Sequence, residues 1–168
     1  MIPVTYIKRN ISTLSASYKA SKKPLHFLLY SKLTIIEAGG WVEMSMDDIV
    51  LRCGRRLKQP PNVAHLEKIV EKTWGFDYNK NFRPMLMQAV GFVAVEKIEA
   101  AIDGAKFAKM LAALGNLKTA RNNVAHTYVK YLTPTAPIPA PGVTTSYFND
   151  IYDGLVEVET VMKGLKLI

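Results

Sequence analysis

Arg121, Asn122, Asn123 and His126 put a fixed cation, two amides and an imidazole within six consecutive residues. A guanidinium is permanently charged and its planar fork fits two phosphate oxygens, so it can steady developing negative charge but moves no proton. An imidazole with its ordinary pKa of about 6.5 takes or gives a proton near neutrality. RNA carries its own nucleophile in the ribose 2′-hydroxyl. Its cleavage needs in-line alignment, proton transfer and stabilisation of charge at phosphorus, and none of these requires a metal or cofactor. In that chemistry Arg121 would stabilise the transition state, His126 would handle the proton, and Asn122 would position the imidazole or the phosphate. Lys118, Tyr128 and Lys130 are near enough in sequence to add backbone or stacking contacts to RNA.

The element that must carry these groups is an amphipathic helix from about Ala105 to the Asn pair. Phe107, Met110, Leu111, Leu114, Leu117 and Val124 recur at three- and four-residue steps, and Arg121 falls on the same face. Five residues along a straight helix rotate a side chain by roughly 140°, so Arg121 and His126 would diverge, whereas Asn122 and His126 would share a face. Two routes close the site. The helix can end near the asparagines, whose side chains suit a frayed terminus, or a second copy of the segment can complete the site across a two-fold interface.

The string Arg121-Asn122-Asn123-Val124-Ala125-His126, after an amphipathic run ending Leu114-Gly115-Asn116-Leu117, resembles the R-[polar]-x-x-x-H signature of the HEPN superfamily, and looks most like its RiboL-PSP-HEPN branch. The resemblance implies a small helical bundle that dimerises, with both Arg/His pairs in one cleft. It also implies a metal-independent endoribonuclease that leaves a 2′,3′-cyclic phosphate, of a kind common among toxins and antiviral effectors, with an antitoxin or other regulatory partner. Family members often have a small residue after the histidine, where this chain has Thr127-Tyr128. Two other readings use the same residues: a non-catalytic module, dimeric and HEPN-like, that binds RNA, a nucleotide or a protein, and a helical adaptor in which the motif only satisfies buried polar groups.

The remaining chain reads as helices that would position this segment. Val4, Ile7, Ile11, Leu14 and Tyr18 mark a first helix over 4–20, and Ser21 with Pro24 marks a break and a new start. A long helix over 24–52 is expected to bury a stripe of Leu25, Leu29, Leu33, Ile36, Gly40, Met44 and Leu51, with Gly39-Gly40 admitting close packing of another backbone. Its second stripe holds Tyr30, Thr34, Glu37 and Trp41, with Glu37 read as a structural carboxylate. Residues 52–62 form a basic loop around Pro60-Pro61, in which Arg52, Arg55, Arg56 and Lys58 are candidate phosphate contacts. A short helix over 63–74 ends at Gly75, with His65 as a surface or packing histidine. The aromatic connection 76–83 packs on the bundle, and Pro84–Ile102 forms one buried helix containing Leu86, Val90, Val93 and Ile98. The proline-rich run after Tyr131 is a crossover loop, and 144–168 returns as a helix with Phe148, Ile151, Leu155, Val158 and Met162 inward. The sum is an all-α, mainly antiparallel bundle of five or six helices in a single domain spanning 1–168.

Composition agrees with that reading. The chain has 168 residues, 49% of them hydrophobic, enough for a substantial single core. Twenty-two Lys and Arg against fourteen Asp and Glu give a formal charge of +8, which favours a polyanionic partner such as RNA. One cysteine, Cys53, leaves no intrachain disulfide and no cysteine-based zinc site. The start has no signal-peptide pattern, and the most apolar stretch, 24–42, is interrupted by His26, Lys32 and Glu37, so a cytoplasmic location without a membrane span is expected.

Overall fold

A computed structural model describes residues 1–125 and 137–168. Among them are seven α-helices: α1 (Thr5–Ala20), α2 (Pro24–Cys53), α3 (Pro60–Glu71), α4 (Arg83–Val90), α5 (Phe92–Ala101), α6 (Gly104–Ala125) and α7 (Pro141–Gly164). No strand occurs among the described residues, and the fold is an all-α bundle. Proline sits in the first turn of α2, α3, α4 and α7, where its missing N–H removes no helical bond. His126, Tyr128, Lys130 and residues 132–136 of the expected crossover loop lie outside the described residues, while Pro141, the last proline of that run, opens α7.

The hub is α2, which lies against α1, α3, α4, α6 and α7, while α6 and α7 form the broadest helix pair. The face that α2 buries differs from the expected one. Ile35, Val42, Met46, Ile49 and Val50 are inside, with Ser31, Thr34, Ala38, Gly39 and Ser45 between them. Leu25, Leu29, Leu33, Met44 and Leu51, read from the sequence as core, are exposed, Met44 by 74%. Small residues let neighbouring helices come close to α2, and that need selects its inner face over the more apolar stripe. The second stripe behaves as structure. Thr34 Oγ1 donates to the Tyr30 carbonyl at 2.7 Å, Glu37 accepts from Asn10 Nδ2 at 3.1 Å, and Trp41 Nε1 donates to the Pro3 carbonyl at 2.8 Å with its ring against Phe148.

The helix count exceeds the expected five or six because residues 84–102 do not form one helix. Gly91 adopts φ +86°, a left-handed conformation that breaks the run into α4 and α5 and leaves Phe92 and Val93 exposed. The glycine with the least room is one that its sequence context does not mark. At Gly154 of α7 an added Cβ would stand 2.5 Å from Met110 Cβ on α6, so only glycine fits. By contrast, α7 buries all five residues expected of it, and Met110, Leu114, Leu117 and Val124 of α6 join the same continuous core, with Phe107 and Leu111 at its margin.

Arg52 also departs from expectation. It is the penultimate residue of α2 and is buried, with Nη1 2.7 Å from Glu159 and Nε 2.9 Å from Asp48, so it cannot meet a phosphate. Arg55 and Lys58 remain exposed, and Arg56 donates to the Lys166 carbonyl. Pro60-Pro61 belongs to α3 and not to a loop.

Candidate functional site

Helix α6 continues through Asn122 and Asn123 to Ala125, so the helix end that would have let Arg121 turn towards His126 does not fall at the asparagines. Arg121 is half-buried at the margin of the core, four residues after the buried Leu117. Its aliphatic stem runs over Gly39 of α2: an added Cβ there would lie 3.5 Å from Arg121 Cγ and 3.3 Å from the ring of Phe76. Gly39 therefore answers to side chains, not to the backbone contact expected of it, and Gly40 meets nothing within 4 Å. A long guanidinium stem lying on such a seat keeps its charged head at the water.

Arg121 lines a cleft of about 280 Å³, open to solvent, together with Lys118, Asn122, the segment Trp74–Asp77, Lys80 and Asn81. The segment is held by its own short-range bonds. Gly75 takes φ +100°, and its N–H donates to Glu43 of α2 at 2.6 Å. Asn81 Oδ1 accepts from the Asp77 N–H at 3.0 Å while its Nδ2 donates to the Trp74 carbonyl at 2.9 Å, a clamp across the turn. Asp77 Oδ1 accepts from the Lys80 N–H at 2.9 Å and caps the single π-helical turn Tyr78–Phe82. Phe76, Tyr78 and Phe82 are buried, so the connection packs as its aromatics suggested. Tyr78 and Arg83 both donate to Glu99 of α5, at 2.9 and 2.7 Å, which ties the turn to the bundle. Burial and the adjoining Glu99 push the Tyr78 phenol far up.

The charges in the cleft divide unequally. Lys118 Nζ lies 2.6 Å from Asp77 Oδ2, and this hydrogen bond is the main reason the Asp77 carboxyl is held below its usual range. Lys118 is thus engaged by a carboxylate while it lines the same cleft as Arg121. Arg121 makes one long contact, Nη1 to Asn122 Oδ1 at 3.5 Å, and no carboxylate pairs with it among the described residues. The chain's other buried or half-buried arginines, Arg52 and Arg83, each face a carboxylate.

Arg121, Asn122 and Lys118 are therefore brought together, and Trp74, Asp77, Lys80 and Asn81 join them without having been picked out beforehand. The available signal was the polar run Asp77-x-Asn79-Lys80-Asn81 two residues after Gly75, which suits a self-bonded turn. His65 is exposed beside Lys68 and Lys72 on α3. Among the described residues no group of three His, Cys, Asp or Glu could hold a metal, and no helix is long and apolar enough to cross a membrane. No family model, curated protein or solved structure matches the chain.

Proposed function

We propose that the chain is a cytoplasmic, metal-independent endoribonuclease of HEPN type, cleaving RNA by attack of the 2′-hydroxyl to leave a 2′,3′-cyclic phosphate. The observation that carries the reading is Arg121. Among the described residues it is the one of three buried or half-buried arginines that lacks a carboxylate, and it lines an open cleft where a phosphate has access. In this reading Arg121 binds two phosphate oxygens, His126 moves the proton, and Asn122 orients one or the other.

With α6 helical through the asparagines, the composite route is favoured, in which a second copy supplies the facing pair. The exposed stripe on α2 offers a face for that union. Ile36, in this stripe, is three residues before Gly39, so the stripe begins roughly 60° round the helix from the residue that seats Arg121. Pairing along it would bring the two clefts towards a common groove. Such an activity, held as a toxin or antiviral effector, would call for an antitoxin or other restraining partner.

The test is cleavage of single-stranded RNA in EDTA by the wild type, Arg121→Ala and His126→Ala, each verified as folded. The reading expects cyclic-phosphate products from the wild type and a loss of about a hundredfold or more in either variant. Equal cleavage by all three removes the catalytic assignment. Salt-sensitive binding of intact RNA with no product selects the non-catalytic binding module instead.

A further inference from the structure

Trp74 is the most exposed aromatic side chain among the described residues, at 82%, yet it stands on one of the most closely bonded turns in the molecule. Its carbonyl is held by Asn81, the next N–H by Glu43, and the turn beyond by Asp77 and Asn81. Among the described residues no ring or cation covers the indole, whereas the other tryptophan, Trp41, packs on Phe148 and Tyr152 with its N–H bonded to Pro3. A large apolar ring left in water on a fixed pedestal suits stacking against a flat partner. The same cleft holds the Arg121 guanidinium, with Lys80 at its rim and the Asn122 amide beside it. At about 280 Å³ it lies at the lower edge of small-molecule sites, room for one nucleotide unit and not for a folded element.

We propose that Trp74 forms a nucleobase subsite beside Arg121, so that the cleft takes a single-stranded nucleotide with its phosphate on the guanidinium and its base stacked on the indole. This rests on the ribonuclease reading and deepens it by giving the cleft a residue that holds the base, but the subsite itself is a binding claim. Recognition by stacking tolerates all four bases, since each has a π-face. A duplex is disfavoured because its bases already stack on one another. A cationic or purely apolar ligand is disfavoured by Arg121 and Lys80.

Binding is measured by fluorescence anisotropy with a 2′-O-methyl RNA oligomer of about eight nucleotides, whose blocked hydroxyl prevents cleavage. A matched oligomer in which the bases are replaced by abasic sites serves as the comparison. The expected result is tighter binding of the base-bearing oligomer by the wild type. Trp74→Ala should weaken that binding about tenfold while leaving the abasic oligomer unchanged, and Trp74→Phe should retain most of it. The exposed position makes misfolding of the variant a minor concern, and an unchanged melting curve checks it. The subsite is overturned if Trp74→Ala binds the base-bearing oligomer like the wild type, if both oligomers lose equally, or if the wild type binds neither at low salt. Cleavage that depends on Arg121 alongside an inert Trp74 sinks the subsite only. A Trp74 effect on binding without any cleavage sinks the nuclease only.

Discussion

The molecule treats two charges at the margin of its core in opposite ways. Glu159 on α7 is 2% exposed and gathers four donors: Arg52 Nη1 at 2.7 Å, Lys163 Nζ at 2.6 Å, the Met1 amino group at 2.8 Å and the Ile2 N–H at 3.1 Å. Arg121 on α6 gathers one long contact from its neighbour's amide and faces a cleft. A buried carboxylate survives only when its lost hydration is replaced by fixed donors, and Glu159 has as many as its two oxygens readily accept. Arg121 keeps its hydration because it keeps its cleft. The first arrangement is closed and structural, and the second leaves room for an anion that the chain does not itself supply.

The largest effect should come from opening the closed centre. Burial would raise the Glu159 carboxyl, but Lys163, the terminal ammonium and Arg52 together bring it down to about 2 from its ordinary 4.5. A lowered folded-state value means that the ionised form stabilises the fold: the contribution is complete above pH 4.5 and drains away as the pH falls towards 2. Glu159→Gln leaves Arg52 without its buried partner and should cost about 3–5 kcal/mol at pH 7, read by urea melts. The deficit should shrink at pH 3. A loss below about 1 kcal/mol would show that the two regions are not as different as their bond patterns.

Gly39 links the core to the open site, and its substitution should act on the site more than on the fold. Gly39→Ala puts a methyl 3.3 Å from the Phe76 ring, which must give by a few tenths of an ångström, and 3.5 Å from Arg121 Cγ, an ordinary contact that leaves the stem in place. Helix propensity gains up to about 1 kcal/mol from the same change. The expected outcome is a melting temperature within a few degrees of wild type, with RNA affinity or cleavage reduced about threefold or more by the displaced Phe76 ring, which lines the same cleft as Arg121. Unchanged activity would mean that the cleft does not depend on the fit of the Phe76 ring against Gly39.

How far the chain could be read beforehand follows the same division between local and distant causes. Helix α7 was legible because its inward face repeats large apolar residues at helical steps, and proline and glycine mark most boundaries for local steric reasons. The face of α2 was not legible, because Ser31, Ala38 and Ser45 are chosen for helix approach while hydropathy favours the exposed leucines. The burial of Arg52 was hidden by a partner 107 residues away. The candidate site was half legible. Arg121 and Asn122 stood out by type and spacing, but Trp74 and Asp77 reach them only through the fold, across some forty residues of sequence.

Asp47 supplies the mirror case, a half-buried carboxyl on α2 with no cation paired to it among the described residues. Burial, and secondarily Glu43 one turn earlier, push it up to about 6 from 3.8. A raised folded-state value means that the folded chain holds the proton more tightly, so stability falls as the pH rises from 3.8 to 6 and the cost is complete above that. Asp47→Asn should therefore stabilise the protein by about 1 kcal/mol at pH 7.5, an amount already reduced for the solvent that still screens the group, and by almost nothing at pH 4. Thermal melts at the two pH values measure it. Equal effects at both would assign the gain to something other than the charge.

The smallest expected effect is the most discriminating. Arg121→Met keeps a long apolar stem over Gly39 and removes the charge and its single weak hydrogen bond. If the guanidinium serves the fold as Arg52 does, its loss should destabilise by several kcal/mol. If it is held ready for a phosphate, stability should change by less than about 0.5 kcal/mol while RNA binding and cleavage collapse, since no carboxylate is left behind to suffer. Urea melts beside the cleavage assay separate the two cases. A charge whose removal costs the fold nothing and the activity most of its rate belongs to a ligand.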